Sequence, residues 1–189
     1  MNDAARSAEA AGWLVLRSEY VIETPFLRLR RDEIEVPGGR RIDGYYVRES
    51  RGFAVIFAVT PDERVVLVRQ YKHGIGARML ELPAGGIEPD ESALACAERE
   101  LAEETGYAGD RAQFVAELVA DPTNANFRFS VFLVRDATLR FEQHLDETEA
   151  IDVELATFAE LRNLVRDGSI VVGSQLASIY ATLDHLGRL

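Results

Sequence analysis

Cysteine and lysine are nearly absent from this sequence: each occurs once among 189 residues. A single cysteine excludes an intrachain disulfide, so the fold must be held by its apolar core. That cysteine, Cys96, has an alanine on either side, which favours a packed residue over a nucleophile. A chain without disulfides is typical of a reducing compartment, and we therefore expect a cytoplasmic protein.

Positive charge is also scarce. The 21 lysine and arginine residues face 32 aspartate and glutamate residues, which gives a formal net charge of −11 at pH 7. Binding to nucleic-acid phosphates needs a basic surface, and an anionic membrane surface would repel such a chain. The composition argues against both partners, whereas a small anionic substrate can still bind where arginines or metal ions make a pocket locally positive.

No apolar run is long enough to cross a membrane. The longest, residues 53–59, is far shorter than the ~20 residues that a spanning helix needs. The first residues, MNDAARSAEAAGW, lack a basic stretch followed by an apolar core, so no secretory signal is predicted. Residues 1–12 are mostly small or polar, and we expect them to be disordered.

Strand signals begin at Trp13 and continue to about residue 51. Apolar and arginine residues alternate over residues 27–30, as in a half-buried strand, and a Pro-Gly-Gly turn follows at residues 37–39. The segments on the two sides of that turn are predicted to pair as an antiparallel hairpin. Residues 13–51 are therefore interpreted as a small N-terminal β region.

The rest of the chain, residues 52–189, alternates strand and helix signals. Apolar or alternating runs predict strands, and apolar residues spaced three or four positions apart predict helices. The predicted strands are residues 53–60, 65–71, 114–120, 127–134 and 151–158, and the predicted helices are about 89–105, 160–166 and 174–186. This order predicts an α/β fold.

The stretch GGIEPDESALACAERELAEETGY, residues 85–107, carries the strongest chemical signal. It predicts a tight glycine turn and then a helix opened by Pro89 and Asp90. Gly106 fits the left-handed position that ends a helix. The helix is therefore expected to begin near Pro89 and to end before Gly106.

Three carboxylates crowd the last two turns of this helix. Glu100 and Glu104 lie one turn apart at the edge of the apolar stripe, and Glu103 is within reach of Glu100. They repel one another at the negative end of the helix dipole. One interpretation is a solvated acidic face. The other is a site for a hard divalent cation, Mg²⁺ or Mn²⁺, which leaves positions open for water and phosphate oxygens.

The fixed residues of this stretch resemble the signature of the Nudix hydrolases. Gly85 is followed after five residues by Glu91, and after seven more by RELAEETGY, residues 99–107. The resemblance implies that the metal is held by the Ala84 carbonyl, Glu100, Glu103 and Glu104. It also implies that Arg99 reaches back to Glu91 and so keeps Glu100 in place.

A second resemblance, to ADP-ribose pyrophosphatases and related nucleoside-diphosphate-sugar hydrolases of that family, covers ELPAGG at residues 81–86. It implies that Arg69 and Lys72 contact the phosphates of the substrate. A Pro-Thr pair stands where these hydrolases usually carry Pro-Gly. Asn124 and Asn126, which follow it, either hydrogen-bond a sugar or stabilise a turn.

The segment DETEAI, residues 146–151, resembles a loop of the same hydrolases with the pattern Asp-Glu-x-Glu-x-Ile. The resemblance implies that Glu147 is the catalytic base and that Glu149 is a metal partner or a substitute base. If neither acts, Glu103 on the helix is the next candidate. From the residues alone, these are acids of a solvated loop.

The resemblance implies a Nudix α/β/α sandwich with a mixed sheet in residues 52–189, preceded by the antiparallel β region. The implied reaction is metal-dependent hydrolysis of a nucleoside diphosphate linked to a sugar, first ADP-ribose to AMP and ribose 5-phosphate, and alternatively GDP-mannose or another such hexose. Relatives with an N-terminal β region exchange it, so a homodimer is expected. A non-hydrolytic binding module is the remaining alternative.

Overall fold

The computed structural model describes residues 12–189, so the disorder expected for residues 1–12 falls, apart from Gly12, outside the described residues. The described chain forms two compact units. One consists of residues 12–50 with Val119–Phe127, and the other of Arg51–Leu118 with Arg128–Leu189. The first unit thus includes a segment that is distant in sequence. The division into domains at residue 51 stays a prediction.

An antiparallel sheet in the order β1-β2-β3 makes up most of the first unit. Its strands are Leu14–Glu23 (β1), Arg28–Glu35 (β2) and Arg41–Glu49 (β3). Between β2 and β3, Gly38 and Gly39 have φ angles of 95° and 79°, which favour glycine over residues with a side chain. The predicted hairpin around this turn is confirmed by the pairing of β2 with β3.

The second unit contains a mixed arrangement of strands. They are Phe53–Ala58 (β4), Arg64–Lys72 (β5), Ala77–Glu81 (β6), Ala84–Gly86 (β7), Tyr107–Ala108 (β8), Gln113–Val119 (β9), Arg128–Val134 (β10), Thr138–Leu139 (β11) and Ile151–Thr157 (β12). The sheets have the orders β7-β4-β10-β9 and β12-β5-β6, and β8 pairs with β11. Strands β4 and β10 are parallel, whereas β4 and β7 are antiparallel, so the first of these sheets is mixed.

The helices of this unit are Ala93–Thr105 (α1), Phe158–Arg166 (α2) and Gly173–His185 (α3). A capping box begins α2: the Thr157 hydroxyl accepts the N–H of Glu160, and the Glu160 carboxylate accepts the N–H of Thr157. Within residues 12–189, no helix combines the length and the apolar character needed to cross a membrane.

Strand β4 separates the two halves of the core. Ile56 packs in one cluster with Leu101 of α1, and Phe57 packs in another with Leu161 of α2 and Ile179 of α3. Successive side chains of a strand point to opposite faces, so α1 and the α2–α3 pair cover opposite faces of the sheet. The predicted α/β/α sandwich is confirmed.

The structure corrects the predicted start of α1. Pro89 and Asp90 do not open the helix, because Asp90 has a φ of 63°, which a right-handed helix cannot contain. Ser92 caps the helix instead, and its hydroxyl accepts a first-turn N–H. Glu91 therefore lies just before the helix. The predicted left-handed stop at Gly106 is confirmed, with a φ of 74°.

Strands β6 and β7 were not predicted from the sequence. The three residues of β7 are too few for any periodicity, and they are held as a strand by pairing with β4, Ala84 opposite Val55 and Gly85 opposite Ala54. The predicted glycine turn at Gly85 is therefore wrong. The pairing places the backbone of residues 84 and 85 next to α1, which contacts β7.

Candidate active site

The last two turns of α1 carry the acidic cluster. Leu101, on the apolar stripe, is buried in the core, and Glu104 beside it is only 4% exposed. The Glu100 side chain is 14% exposed, whereas that of Glu103 is 40% exposed. Two carboxylates are thus largely removed from water near the end of the helix where the dipole disfavours negative charge.

Glu104 is held by the backbone of β7. Its Oε2 accepts the N–H of Ala84 at 3.0 Å. Burial, with a smaller contribution from the charge of Glu100, raises the pKa of the Glu104 carboxyl to about 8, although the Ala84 N–H works in the opposite direction. Without a cation, this group is therefore in a poor environment for its charged form.

Glu100 lies directly on Gly85. A Cβ added to Gly85 would come within 1.9 Å of the Glu100 Cδ, so any side chain at position 85 would displace the carboxylate. Burial also raises the pKa of Glu100, despite the opposing charge of Arg99. The sequence identified Gly85 as a turn residue, but its role in the structure is to leave room for Glu100.

Arg99 connects three acids. Its Nε and Nη2 donate to both oxygens of Glu91 at 2.8 and 2.9 Å, which is the pair expected from the sequence. Its Nη1 donates to Glu100 at 2.8 Å and to Glu103 at 2.9 Å. The bond from Arg99 holds the pKa of Glu91 at about 2. The guanidinium therefore compensates part of the negative charge and orients Glu100.

The donor set suits a hard divalent cation, because carboxylate and carbonyl oxygens are the ligands that Mg²⁺ and Mn²⁺ prefer. In residues 12–189, however, no three His, Cys, Asp or Glu side chains are gathered into a metal cage. Arg99 holds Glu100 and Glu103 in its own hydrogen bonds. Mg²⁺ usually keeps several waters and takes one or two carboxylates directly, which this arrangement offers through Glu100 and Glu104.

The acidic loop between β11 and β12 carries the two candidate bases, Glu147 and Glu149. Glu147 is exposed. The charge of Glu149 contributes to raising the pKa of both Glu100 and Glu104, so its carboxylate is within electrostatic reach of the cluster. Its Oε2 accepts the N–H of Asp146 at 3.1 Å, and its N–H donates to the Asp146 carbonyl at 2.9 Å. Glu149 is thus held by hydrogen bonds within its own loop, although it is exposed like Glu147.

The candidate phosphate contacts lie on β5 and already have acidic partners. The Lys72 Nζ is 3.2 Å from Oε2 of Glu81, and its charge also favours the ionised form of Glu104. Arg69 pairs with Glu154 of β12. Lys72 is therefore close enough to interact with the acidic cluster, whereas the guanidinium of Arg69 is engaged across the sheet β12-β5-β6.

Asn124 and Asn126 belong to the first unit, and their amides hold a loop there. The Nδ2 of Asn124 donates to the Tyr46 carbonyl at 3.2 Å, and the Oδ1 of Asn126 accepts the N–H of Ser50 at 3.3 Å. Both bonds attach the segment after β9 to the region of β3. Both amides therefore bond to residues distant in sequence rather than within a turn, and a role towards a sugar stays a prediction.

The raised pKa of Glu104 predicts a pH-dependent stability in the absence of metal. A folded pKa of about 8, above the ordinary 4.5, means that the free energy of unfolding falls as pH rises from about 4.5 to about 8. Glu104→Gln stays neutral and can still accept the Ala84 N–H. In EDTA at pH 8 we expect it to be more stable than the unmodified chain by on the order of 2 kcal/mol, or several degrees in Tm.

Thermal melts in EDTA at pH 5 and pH 8 measure this difference, with the exposed loop residue change Glu142→Gln as the control. The advantage of Glu104→Gln should shrink at pH 5, where Glu104 is protonated in the folded chain and part of the unfolded population is protonated as well. Parallel pH profiles for Glu104→Gln and Glu142→Gln would contradict the assignment.

Several known proteins are similar to this chain over most of its length. The "Methanol dehydrogenase activator" of Bacillus methanolicus is 26% identical over 90% of this chain and 95% of its own. The "ADP-ribose pyrophosphatase" of Mycobacterium tuberculosis is 30% identical over 88% of this chain and 81% of its own. A crystal structure of an ADP compounds hydrolase superimposes with a TM-score of 0.80 over 94% of this chain and 97% of its own, at 22% identity, which supports the fold alone.

Two family models match the sequence in succession. Residues 13–47 match the nucleoside diphosphate sugar hydrolase N-terminal domain. Residues 49–172, well over half of the sequence and including α1 with its acids, match the NUDIX domain. The chain therefore belongs to the Nudix hydrolase family.

Proposed function

We propose that this chain hydrolyses the pyrophosphate bond of a nucleoside diphosphate linked to a sugar, with ADP-ribose as first substrate and AMP and ribose 5-phosphate as products. The observation that carries the proposal is the pair Glu100 and Glu104, which lie against the backbone of β7 and are largely out of water. Two buried, mutually repelling acids reduce stability unless a cation binds them. A metal-dependent reaction on an anionic substrate explains why they are kept.

The proposed ligands of Mg²⁺ or Mn²⁺ are the Ala84 carbonyl and the carboxylates of Glu100, Glu103 and Glu104. When bound, such an ion neutralises the diphosphate and makes water a better nucleophile. Arg99 keeps Glu100 oriented through its bidentate bond to Glu91. Its bonds to Glu100 and Glu103 lower the repulsion among the acids before a cation arrives.

The proposed base is Glu147, which would take the proton from the attacking water. Its exposure leaves the carboxylate free to approach a substrate. Glu149, whose charge acts on Glu100 and Glu104, is proposed as a metal partner and as the substitute base. Glu103 on the helix is the third candidate.

The substrate contacts are proposed from charge and position. Lys72, near the acidic cluster, and Arg69 on the same strand would contact the phosphates once their carboxylate partners are displaced. Asn124 and Asn126 remain candidates for the sugar, although their amides are engaged in the loop bonds described above. Thr123 stands in place of the usual glycine and suggests a pocket altered on the sugar side, so a nucleoside-diphosphate hexose such as GDP-mannose is the second candidate.

A substrate panel tests the reaction and its metal requirement. With Mg²⁺ or Mn²⁺, we expect kcat/KM for ADP-ribose to exceed that for GDP-mannose and ADP-glucose, and to be far above that for ATP, which has no second sugar. Glu100→Gln should lower kcat about a thousandfold or more while Glu142→Gln stays near the unmodified rate. Chromatographic measurement of the nucleoside monophosphate product, with metal and with EDTA, tests both expectations.

The panel also separates the alternatives. A preference for GDP-mannose would change the substrate and keep the mechanism. Full activity in EDTA would overturn the metal requirement. Binding of ADP-ribose without hydrolysis of any substrate, at saturating Mg²⁺ and Mn²⁺, would instead identify a non-hydrolytic module.

The identity of the base is tested by a matched pair of substitutions. Glu147→Gln should lower kcat by about 10²- to 10⁴-fold and leave metal affinity nearly unchanged, because it removes only the proton acceptor. Glu149→Gln should do less to kcat or act by weakening metal binding. Rates from stopped assays and metal affinities from titration compare the two, and the opposite ranking would assign the base to Glu149.

A homodimer through the first unit completes the proposal. Strand β1 lies at the edge of its sheet, and several of its apolar side chains are about two-fifths exposed: Leu14, Val15, Leu16, Tyr20, Val21 and Ile22. An exposed apolar edge strand is unstable in a monomer and readily pairs with another chain. A second copy of the same unit offers the complementary strand.

Light scattering at micromolar concentration tests the dimer. We expect a homodimer, and Val21→Lys, which puts a charge on β1, should shift it towards monomer by at least about tenfold in Kd. Val171→Lys, at an exposed position of the second unit, is the matched control and should leave the dimer intact. A fully active monomer would refute the assembly.

A further inference from the structure

The segment that follows β11 is bound to the C-terminal end of α1. The carbonyl of Gly106 accepts the N–H groups of Arg140 and Phe141 at 2.9 and 3.0 Å, and the carbonyl of Glu103 accepts the N–H of His144 at 2.9 Å. The last carbonyls of a helix have no partner within the helix. This segment supplies donors to that end, so the start of the acidic loop is fixed relative to α1.

Gln143 adds a side-chain bond at the same place and a second one further along. Its Nε2 donates to the Glu104 carbonyl at 2.6 Å and to the Ile151 carbonyl at 3.2 Å. Ile151 is the first residue of β12. Because a glutamine amide nitrogen has two hydrogens, one side chain can make both bonds. Gln143 therefore joins the two ends of the loop formed by residues 144–150 and attaches them to Glu104.

We propose that Gln143 is a positioning residue that holds the loop of residues 144–150 against the end of α1. This inference rests on the proposed function, because the loop carries Glu147 and Glu149. Glu104 is fixed at its carboxylate by the Ala84 N–H and at its carbonyl by Gln143. The proton acceptor and the metal ligands would thereby be held in one frame, and a displacement of about 1 Å in such a frame can reduce a rate by about 100-fold.

The surroundings of Gln143 indicate that it does little for the core. The residue is exposed, and so are its neighbours Glu142 and His144. Only its amide nitrogen reaches inward, to two carbonyls. A substitution that removes the two donor hydrogens should leave the fold and the acids of α1 unchanged, and should release the loop.

Two substitutions of Gln143 separate the effect of its hydrogen-bond donors from the effect of its side-chain shape. Gln143→Met has a similar length and no donor, and Gln143→Glu keeps the shape while placing an acceptor next to two carbonyl oxygens. Gln113→Met, at an exposed position of β9, is the matched control. With ADP-ribose and Mg²⁺, we expect both Gln143 variants to lower kcat about tenfold and to change KM less than about twofold.

Hydrogen exchange gives a readout that does not depend on turnover. In both Gln143 variants, the amides of residues 145–150 should exchange about tenfold faster than in Gln113→Met, while those of α1 and the Tm stay unchanged. Metal affinity measured by titration should fall no further than it does in Glu149→Gln, because the carboxylates of α1 keep their contacts.

The outcomes are distinguishable. If Gln143→Met matches Gln113→Met in both kcat and loop exchange, Gln143 does not position the loop. Faster loop exchange with an unchanged kcat would also overturn the proposal, because the clamp would then not serve the reaction. If the unmodified chain hydrolyses none of the substrates, the proposed function fails, and loop exchange alone decides whether Gln143 holds the loop.

Discussion

The arrangement of the site depends on keeping negative charge where electrostatics opposes it. Glu100 and Glu104 are largely out of water, near the negative end of a helix and one turn apart. Each of these conditions disfavours an ionised carboxylate. Three features compensate for this. The Arg99 guanidinium donates to Glu100, and the Ala84 N–H donates to Glu104. Gly85 has no side chain and so leaves room for the Glu100 carboxylate.

Those compensating groups come from the packing of the second unit. Strand β4 is buried on both faces, and α1 packs against the face that includes Ile56. Because β7 pairs with β4 at the sheet edge, its backbone lies next to α1, where the helix acids can reach it. The position of a polar site thus follows from apolar contacts: the stripe that buries Leu101 also aims Glu104 at Ala84.

Local signals explain what the sequence could predict. The αL stop at Gly106, the carboxylate spacing and the Arg99–Glu91 pair each depend on residues within a few turns of one another. The predicted start of α1 was wrong because the sequence offers two helix starts, one at Pro89 and Asp90 and one capped by Ser92. Propensity alone does not rank the two, and in the structure Asp90 is left-handed and Ser92 is the cap. The contact of Glu100 with Gly85 depends on β7, which is three residues long and defined only by its pairing.

The C-terminal end of α1 also explains how the acidic loop can be exposed to solvent and yet have a fixed position. The carbonyls that make the C-terminal end of α1 negative are strong acceptors, and residues 140–144 donate to three of them, at Glu103, Glu104 and Gly106. A loop with few apolar contacts gains little from burial, so its position must come from such directional bonds. The feature that makes α1 unfavourable for carboxylates is therefore also the feature that brings the acidic loop to them.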